Sequence, residues 1–343
     1  MSEPQLPARQ LQILLAERPI GRPGEQTFEA VHRPLEPPAE GEILVRVTYL
    51  SLDPAMRGWM DDRPSYLPPV ALGAVMRGLA VGEVVRSRHD DFAPGDAVSG
   101  TFGWQEYAKV AGKDASKLPP GVGWQLALGP LGMVGMTAYF GLLAVGAPQA
   151  GDTVLVSGAA GAVGSLVGQI ARIHGCRAVG IAGGADKCRY LEQTLGFDAS
   201  IDYKSVDDLS SAVRAACPKG VDVYFDNVGG PVLDAALANI GRGARVVICG
   251  AISQYNATDG VQGPSNYLAL LVQRARMEGF IVFDHAPRYG EAARAIAGWL
   301  EAGKIHYRYD VVEGLSKAPR ALLKLFDGTN RGKLLVRVDP QAQ

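Results

Sequence analysis

The chain has 343 residues, 47% of them apolar and 20% charged, with a formal net charge of −1; that length exceeds one ordinary core and suggests two globular domains. Near-neutral charge without a long Lys/Arg run argues against a nucleic-acid face or an anionic-membrane binder and favours a small-molecule partner. No stretch approaches the roughly 20 apolar residues that span a bilayer, and the apolar run at 11–16 is too short for a signal-peptide core, so a soluble protein is expected.

In chain order, the first 120 or so residues offer short β-rich runs (EGEILVRVTYLSLDP, GLAVGEVVRS, GDAVSG, WQEYAKV) separated by Gly, Pro and Asp turns. Sequential strands without helical patterns between them predict an antiparallel β module, a partly open barrel, ending near Pro119-Pro120-Gly121. Residues 126–143 read as a helix with a small-residue start. From 151 to 252, Val- and Ile-rich strands alternate with amphipathic helices, as expected for a parallel sheet covered by helices. Further helices are expected at 265–280 and 289–304, with a short strand at 281–284 between them. The tail predicts a helix, a turn and a final strand whose texture matches the first region. The expected boundaries are 1–125 for the first part of a substrate domain, 126–300 for a nucleotide domain, and 301–343 for the return to the substrate domain.

Cys176, Cys188, Cys217 and Cys249 form no CxxC and no zinc or disulfide spacing, which suits small hydrophobes in a reducing compartment and places the protein in the cytoplasm.

DTVLVSGAAGAVGSLVGQIA carries the most chemistry. A strand enters Gly158, Gly161 and Gly164 and then a helix. Such a turn lets a pyrophosphate reach backbone N–H groups where the helix dipole favours an anion, and side chains would block the approach. Against GxGxxG, Ala159 replaces the first glycine while Gly161 and Gly164 remain; strand, turn, helix and a following βαβ agree on dinucleotide binding. The next strand ends in Gly183, Gly184 and Ala185, where an acid bonding the ribose of NAD would stand. Lys187 and Tyr203 can instead hold a 2′-phosphate, so NADP(H) is the expected cofactor. Lys187 alternatively is a solvated helix residue, and Asp186, which opposes a phosphate, either remains there as a charge or caps the helix.

The region before Gly121 holds no cysteine and only His32 and His89 as histidines, so no metal site is expected. A GxSxG elbow is absent, as is the Tyr-xxx-Lys dyad of short-chain dehydrogenases. The cofactor then carries the chemistry, with the protein supplying orientation and electrostatics.

YLSLDPAMRG (49–58), GAVMRGLAVGEVV (73–85), LGMVGMTAYFGL (131–142), SGAAGAVGSLVGQIA (157–171), YFDNVGG (224–230), CGAISQYN (249–256), MEGFIVFD (277–284) and NRGKLLVRV (330–338) resemble the zinc-independent medium-chain reductases. Within these the chain is similar to the leukotriene B4 dehydrogenase / prostaglandin reductase group, which includes bacterial NADPH-dependent curcumin reductases. The resemblance implies an α/β protein with a GroES-like β-barrel domain and a Rossmann doubly wound parallel sheet, and a homodimer. It implies hydride transfer from NADPH to the β-carbon of an α,β-unsaturated aldehyde or ketone. By position, it assigns Met133 and Thr137 to the nicotinamide carboxamide, and Gly161, Ala162, Val163 and Gly164 to the pyrophosphate turn. Lys187 and Tyr203 fall on the 2′-phosphate, Asn227, Cys249 and Ile252 on the cofactor cleft, and Phe280 and Val282 near the nicotinamide. Asn330 and Gly332 would close over the cofactor.

Tyr255, in SQYN, matches the tyrosine proposed to assist at the substrate carbonyl, where an O–H donor stabilises enolate charge; the alternative is a tyrosine packed with its hydroxyl bonded elsewhere. Tyr49 is a weaker candidate for the substrate wall, and Met136 is better explained as core. An aromatic common in the DPYMR motif is Ala55 here, and Trp59 or Tyr66 in the 59–69 loop could replace its surface. The competing functions are a quinone oxidoreductase using the same cofactor and a non-catalytic NADPH-binding protein.

Overall fold

In the computed structural model, which describes residues 6–338, β1 (Arg9–Leu15) and β2 (Phe28–Pro34) form an antiparallel hairpin with Leu11 opposite His32. Next come β3 (Glu42–Ser51), β4 (Ala80–Ser87), β5 (Ala97–Gly100), β6 (Tyr107–Ala111) and β7 (Ala115–Lys117). β3 is their spine: β4 runs along one edge and β6 along the first half of the other, both antiparallel. Register shifts between Leu44 and Val45 and between Val47 and Tyr49 curl the β3–β4 pair, since an extra residue on one strand bends it and increases its twist. Ile43, Val45, Val47, Val84 and Val98 point into one core with Trp104 and Phe102, all of them fully or almost fully buried. Each such Val or Ile contributes about 1.5–3 kcal/mol relative to exposure.

The alternating region folds as expected into β8 (Thr153–Ser157), β9 (Arg177–Ala182), β10 (Ala199–Asp202), β11 (Val221–Asp226) and β12 (Ile240–Ile248). A further strand, β13 (Arg276–Gly279), completes a sheet of order β10-β9-β8-β11-β12-β13 in which every pairing is parallel. Successive side chains of the central strands feed two different cores. Val154, Val156, Val223 and Phe225 pack under the helices Met133–Phe140 and Ala162–Ile173, while Leu155 and Tyr224 pack under Leu209–Ala216 and Gly230–Leu237. With both faces covered the strands read as continuous apolar runs, not alternating ones.

The chain then forms β14 (Tyr309–Glu313), the helix Ala318–Asp327 and β15 (Lys333–Arg337), and β15 pairs antiparallel with β3, Leu335 opposite Ser51. Two units result. One holds the described residues up to Leu128 with Tyr309–Asn330 and those from Leu334 onward; the other holds Gly129–Arg308 and Arg331–Lys333. The fold is thus mixed α/β, an antiparallel β-rich unit and a Rossmann-type parallel-sheet unit. No helix among the described residues is long and apolar enough to cross a membrane.

Three expected elements are corrected. The helix at 265–280 is only Leu268–Gln273, because Arg274 turns left-handed (φ 52°) and the chain then pairs with β12 as β13. The strand at 281–284 is instead the start of a 3-10 helix, Val282–Arg288. All four β13 residues are exposed, so no hydrophobic alternation marked them; pairing at a sheet edge decided the conformation. The helix at 126–143 is broken into Trp124–Leu128 and Met133–Phe140 by Gly129-Pro130, since proline disfavours helix at the residue before it.

Candidate active site

β8 and β11 are neighbours at the centre of the parallel sheet, and the connections leaving them run to opposite sides. Ligands of open α/β sheets bind in the crevice this reversal creates outside the strand C-termini. The glycine turn fills one side of it. Gly161, in extended conformation, is the N-cap of helix Ala162–Ile173. Ala162 and Val163 begin that helix, where backbone N–H groups have no acceptor within the helix and favour an anion. Gly164 tolerates no side chain: a Cβ there would stand 2.5 Å from the Gly158 carbonyl oxygen.

The other side is built on Asp226, the last residue of β11 and almost fully buried. Its Oδ1 accepts from Tyr224 Oη at 2.7 Å, Ser157 Oγ at 2.9 Å and the N–H groups of Val228 and Gly229 at 3.0 Å. Asn227 joins this frame, donating from Nδ2 to the Ser157 carbonyl at 2.7 Å, while its own carbonyl accepts from Ile252 N–H at 3.2 Å. Cys249 N–H donates to the Asp226 carbonyl at 2.9 Å, and burial with the adjacent carboxylate pushes the Cys249 thiol up to about 12. It is therefore a neutral, inert wall group at physiological pH. Tyr255 is half-buried, and its hydroxyl oxygen accepts from the Ala251 N–H at 3.2 Å. Asn227, Cys249, Ile252 and Tyr255 thus lie on consecutive turns after β11 and β12. Sequence reasoning missed Asp226, although it ends the strand in the quoted YFDNVGG.

Beside the glycine turn lies a pocket lined by Lys187, Arg189, Arg308, Arg331, Asp186 and Tyr190, with Ala160 and Gly332 at its wall. Helix Ala185–Arg189 supplies three of these charges. Asp186 does not cap that helix: Gly184 is the N-cap, and Asp186 pairs with Arg189 and, at 3.9 Å, with Arg331. Arg308 stacks its guanidinium 5.5 Å from the Tyr190 ring centroid, and burial pushes the Tyr190 hydroxyl up against the opposing pull of Arg308. Tyr203, 44% exposed, lies against Gly183, where a Cβ would stand 2.8 Å from its ring. Arg308 and Arg331 carried no sequence signal, since charges at 308 and 331 join the pocket only through the path of the chain.

Met133, Thr137, Phe280 and Val282 form a second group in the same unit. Tyr289 Oη donates to Met133 Sδ at 3.6 Å and to the Val282 carbonyl at 3.0 Å, and Thr137 Oγ1 donates to the Met133 carbonyl at 2.8 Å. Phe280 meets Phe225 edge-on at 6.5 Å, and Met136 is core. In the β-rich unit, Tyr49 is 5% exposed, packed with Val81, Leu128 and Leu335, and its Oη accepts from Arg337 Nε at 2.9 Å. Trp59 is buried and donates from Nε1 to Tyr66 Oη at 3.2 Å. Asn330 belongs to this unit, Gly332 to the parallel one. Among the described residues no group of three or more His, Cys, Asp or Glu is placed to hold a metal ion.

Two family descriptions match the chain: "N-terminal domain of oxidoreductase" over residues 11–118 and "Zinc-binding dehydrogenase" over 162–298. The chain is 45% identical to the NADPH-dependent curcumin reductase of Escherichia coli (strain K12), across 95% of this chain and 96% of that protein. It is 40% identical to the NADP(+)-dependent 2-alkenal reductase of Nicotiana tabacum, across 95% and 97%. The crystal structure of CurA from Vibrio vulnificus in complex with NADPH superposes with a TM-score of 0.91 at 46% identity, covering 97% of this chain and 99% of that one.

Proposed function

The chain belongs to the medium-chain dehydrogenase/reductase family, in the group of the curcumin and prostaglandin reductases, and we propose that it reduces the carbon–carbon double bond of α,β-unsaturated aldehydes and ketones with NADPH. The observation that carries this reading is the glycine turn at the switch point of a β10-β9-β8-β11-β12-β13 parallel sheet with a cationic pocket beside it. A turn without side chains suits a pyrophosphate, and a pocket of four cations against one carboxylate suits a phosphate. NADPH, when bound, supplies the hydride. Ala162 and Val163 hold the pyrophosphate through backbone N–H groups. Lys187 and Tyr203 hold the 2′-phosphate. Met133, Thr137, Phe280 and Val282 orient the nicotinamide. Tyr255 donates a hydrogen bond to the substrate oxygen as negative charge gathers there, and the Ala251 N–H fixes its position. The chemistry runs without zinc, in keeping with the lack of any cysteine before Cys176.

We assign the protein to a reducing compartment, the cytoplasm, on its four free cysteines. A homodimer fits the exposed edge strand β13 beside Tyr267, Leu268, Leu271 and Val272, which are each more than half exposed. Arg276 and Glu278 on that edge are self-complementary, so a two-fold antiparallel pairing would set each opposite the other's charge.

The test follows oxidation of NADPH by the purified protein with an enal, an enone such as curcumin, and a quinone, repeated with NADH and with a chelator. Chelator-insensitive, NADPH-selective turnover of the enal or enone is expected. Turnover of the quinone alone would transfer the assignment to a quinone oxidoreductase, and tight NADPH binding without turnover to a binding protein.

A further inference from the structure

We infer that Arg331 determines the preference for the phosphorylated cofactor, by holding the adenosine 2′-phosphate together with Lys187. The inference rests on the NADPH reading above and adds to it a residue that reaches the pocket from the far end of the chain.

The backbone that carries Arg331 is fixed from both sides. Gly332 forms a parallel bridge with Gly161 of the glycine turn, and the Lys333 N–H donates to the Arg308 carbonyl at 2.9 Å. Gly332 adopts a left-handed φ of 76°, and a Cβ there would be driven into that same Arg308 carbonyl. With the strand start pinned, the Arg331 side chain reaches Asp186, at 3.9 Å, on the helix turn that also presents Lys187.

Charge decides what this arrangement can take. Lys187, Arg189, Arg308 and Arg331 face the pocket, and Asp186 is the only carboxylate among its lining residues. One carboxylate leaves the cations in excess, and a phosphate carrying close to two negative charges complements that excess. NADH would offer only neutral ribose hydroxyls at the same place, which lack a phosphate's charge and its paired acceptor oxygens for a guanidinium. The Asp186–Arg331 pair is long and both side chains are mostly exposed, 72% and 60%, so it is screened and worth little. A guanidinium can exchange such a partner for a phosphate, which it meets with two parallel N–H donors, at small cost. Gly183 and Gly184 after β9 add no side chain of their own to the approach.

The experiment is calorimetric titration of the full-length protein with NADPH, NADH, 2′,5′-ADP and 5′-AMP at one fixed salt concentration, for wild type, Arg331→Gln and Arg331→Lys. Arg331→Gln should weaken NADPH and 2′,5′-ADP about 10- to 100-fold, as loss of a charge-assisted pair does. NADH and 5′-AMP should stay within about twofold, and Arg331→Lys should recover part of the loss. Equal weakening of the phosphorylated and unphosphorylated ligands would overturn the inference, because Arg331 would then act on the pyrophosphate or the fold. Unchanged discrimination in Arg331→Gln, with wild type still preferring NADPH, would overturn it while leaving the cofactor reading intact. A wild type that binds NADPH and NADH alike would overturn both. Arg331 is exposed, so the variant should keep the wild-type melting temperature, which is measured alongside.

Discussion

Gly332 and Gly161 face each other across a parallel bridge, so the residue just before β15 is laid against the turn that opens the first Rossmann helix. The bridge requires glycine at 332, where the backbone is left-handed and the Arg308 carbonyl occupies the space of a Cβ. Gly332→Ala should therefore cost about 1–3 kcal/mol of stability. NADPH should bind more weakly as well, because the wall of the glycine turn shifts. Thermal melting and a cofactor titration check both effects; an unchanged melting temperature would show that the bridge carries no strain.

Asp186 stands on the same helix turn as Lys187 and repels any phosphate placed there. Asp186→Asn removes that repulsion and gives up only exposed, screened pairs with Arg189 and Arg331. NADPH should bind several-fold more tightly than to wild type and NADH unchanged. Weaker NADPH binding would mean that Asp186 serves chiefly to position the arginines.

For Tyr255, replacement by Phe removes the hydroxyl and keeps the ring. If this hydroxyl stabilises developing charge on the substrate oxygen, kcat for an enone falls about 10- to 1,000-fold. The NADPH dissociation constant should move less than about twofold. Full activity in Tyr255→Phe would assign the hydroxyl to packing against Gly250 and Ala251.

Alkaline stability should report the buried thiols. Burial pushes Cys176 and Cys217 up to about 11, and burial with Asp226 pushes Cys249 up to about 12, from an ordinary value of 9.0. The folded protein then keeps protons that the unfolded chain releases, so this stabilisation is whole below pH about 9 and is lost as pH rises towards 11 and 12. Each such thiol removes about 1.4 kcal/mol per pH unit inside that window. Urea midpoints should fall from pH about 9 upwards, less steeply in Cys249→Ala; a flat profile would contradict the assignment.

The β13 edge gives a prediction about assembly. Leu271 is 76% exposed beside Val272 and the strand edge. If that edge joins two copies, Leu271→Arg should shift the mass measured by light scattering from dimer towards monomer, with the melting temperature dropping at low concentration. A wild type that is monomeric at micromolar concentration would end the dimer reading.

Much of this was legible in the amino-acid order. Alternating strands and helices between residues 151 and 252, the glycine turn, and Gly183-Gly184 in place of an acid are local facts, because periodicity, side-chain absence and strand-end chemistry act over a few residues. They gave the parallel sheet and the glycine turn after β8, and residues 162–164 open the helix that follows it. Lys187 likewise lines the cationic pocket.

Other features were decided only by the tertiary path. β13 carries four exposed residues and no pattern; its conformation comes from pairing with β12, a partner the local sequence does not encode. Tyr49 reads as a candidate for the substrate wall in sequence, yet β3 buries it and Arg337, directly opposite on β15, occupies its hydroxyl. Arg308 and Arg331 meet Asp186 and Lys187 because the Gly332–Gly161 bridge returns the C-terminal segment to the nucleotide turn. Local order sets what each segment can become; which distant charges converge on one pocket depends on where the backbone is pinned, and only the folded chain fixes that.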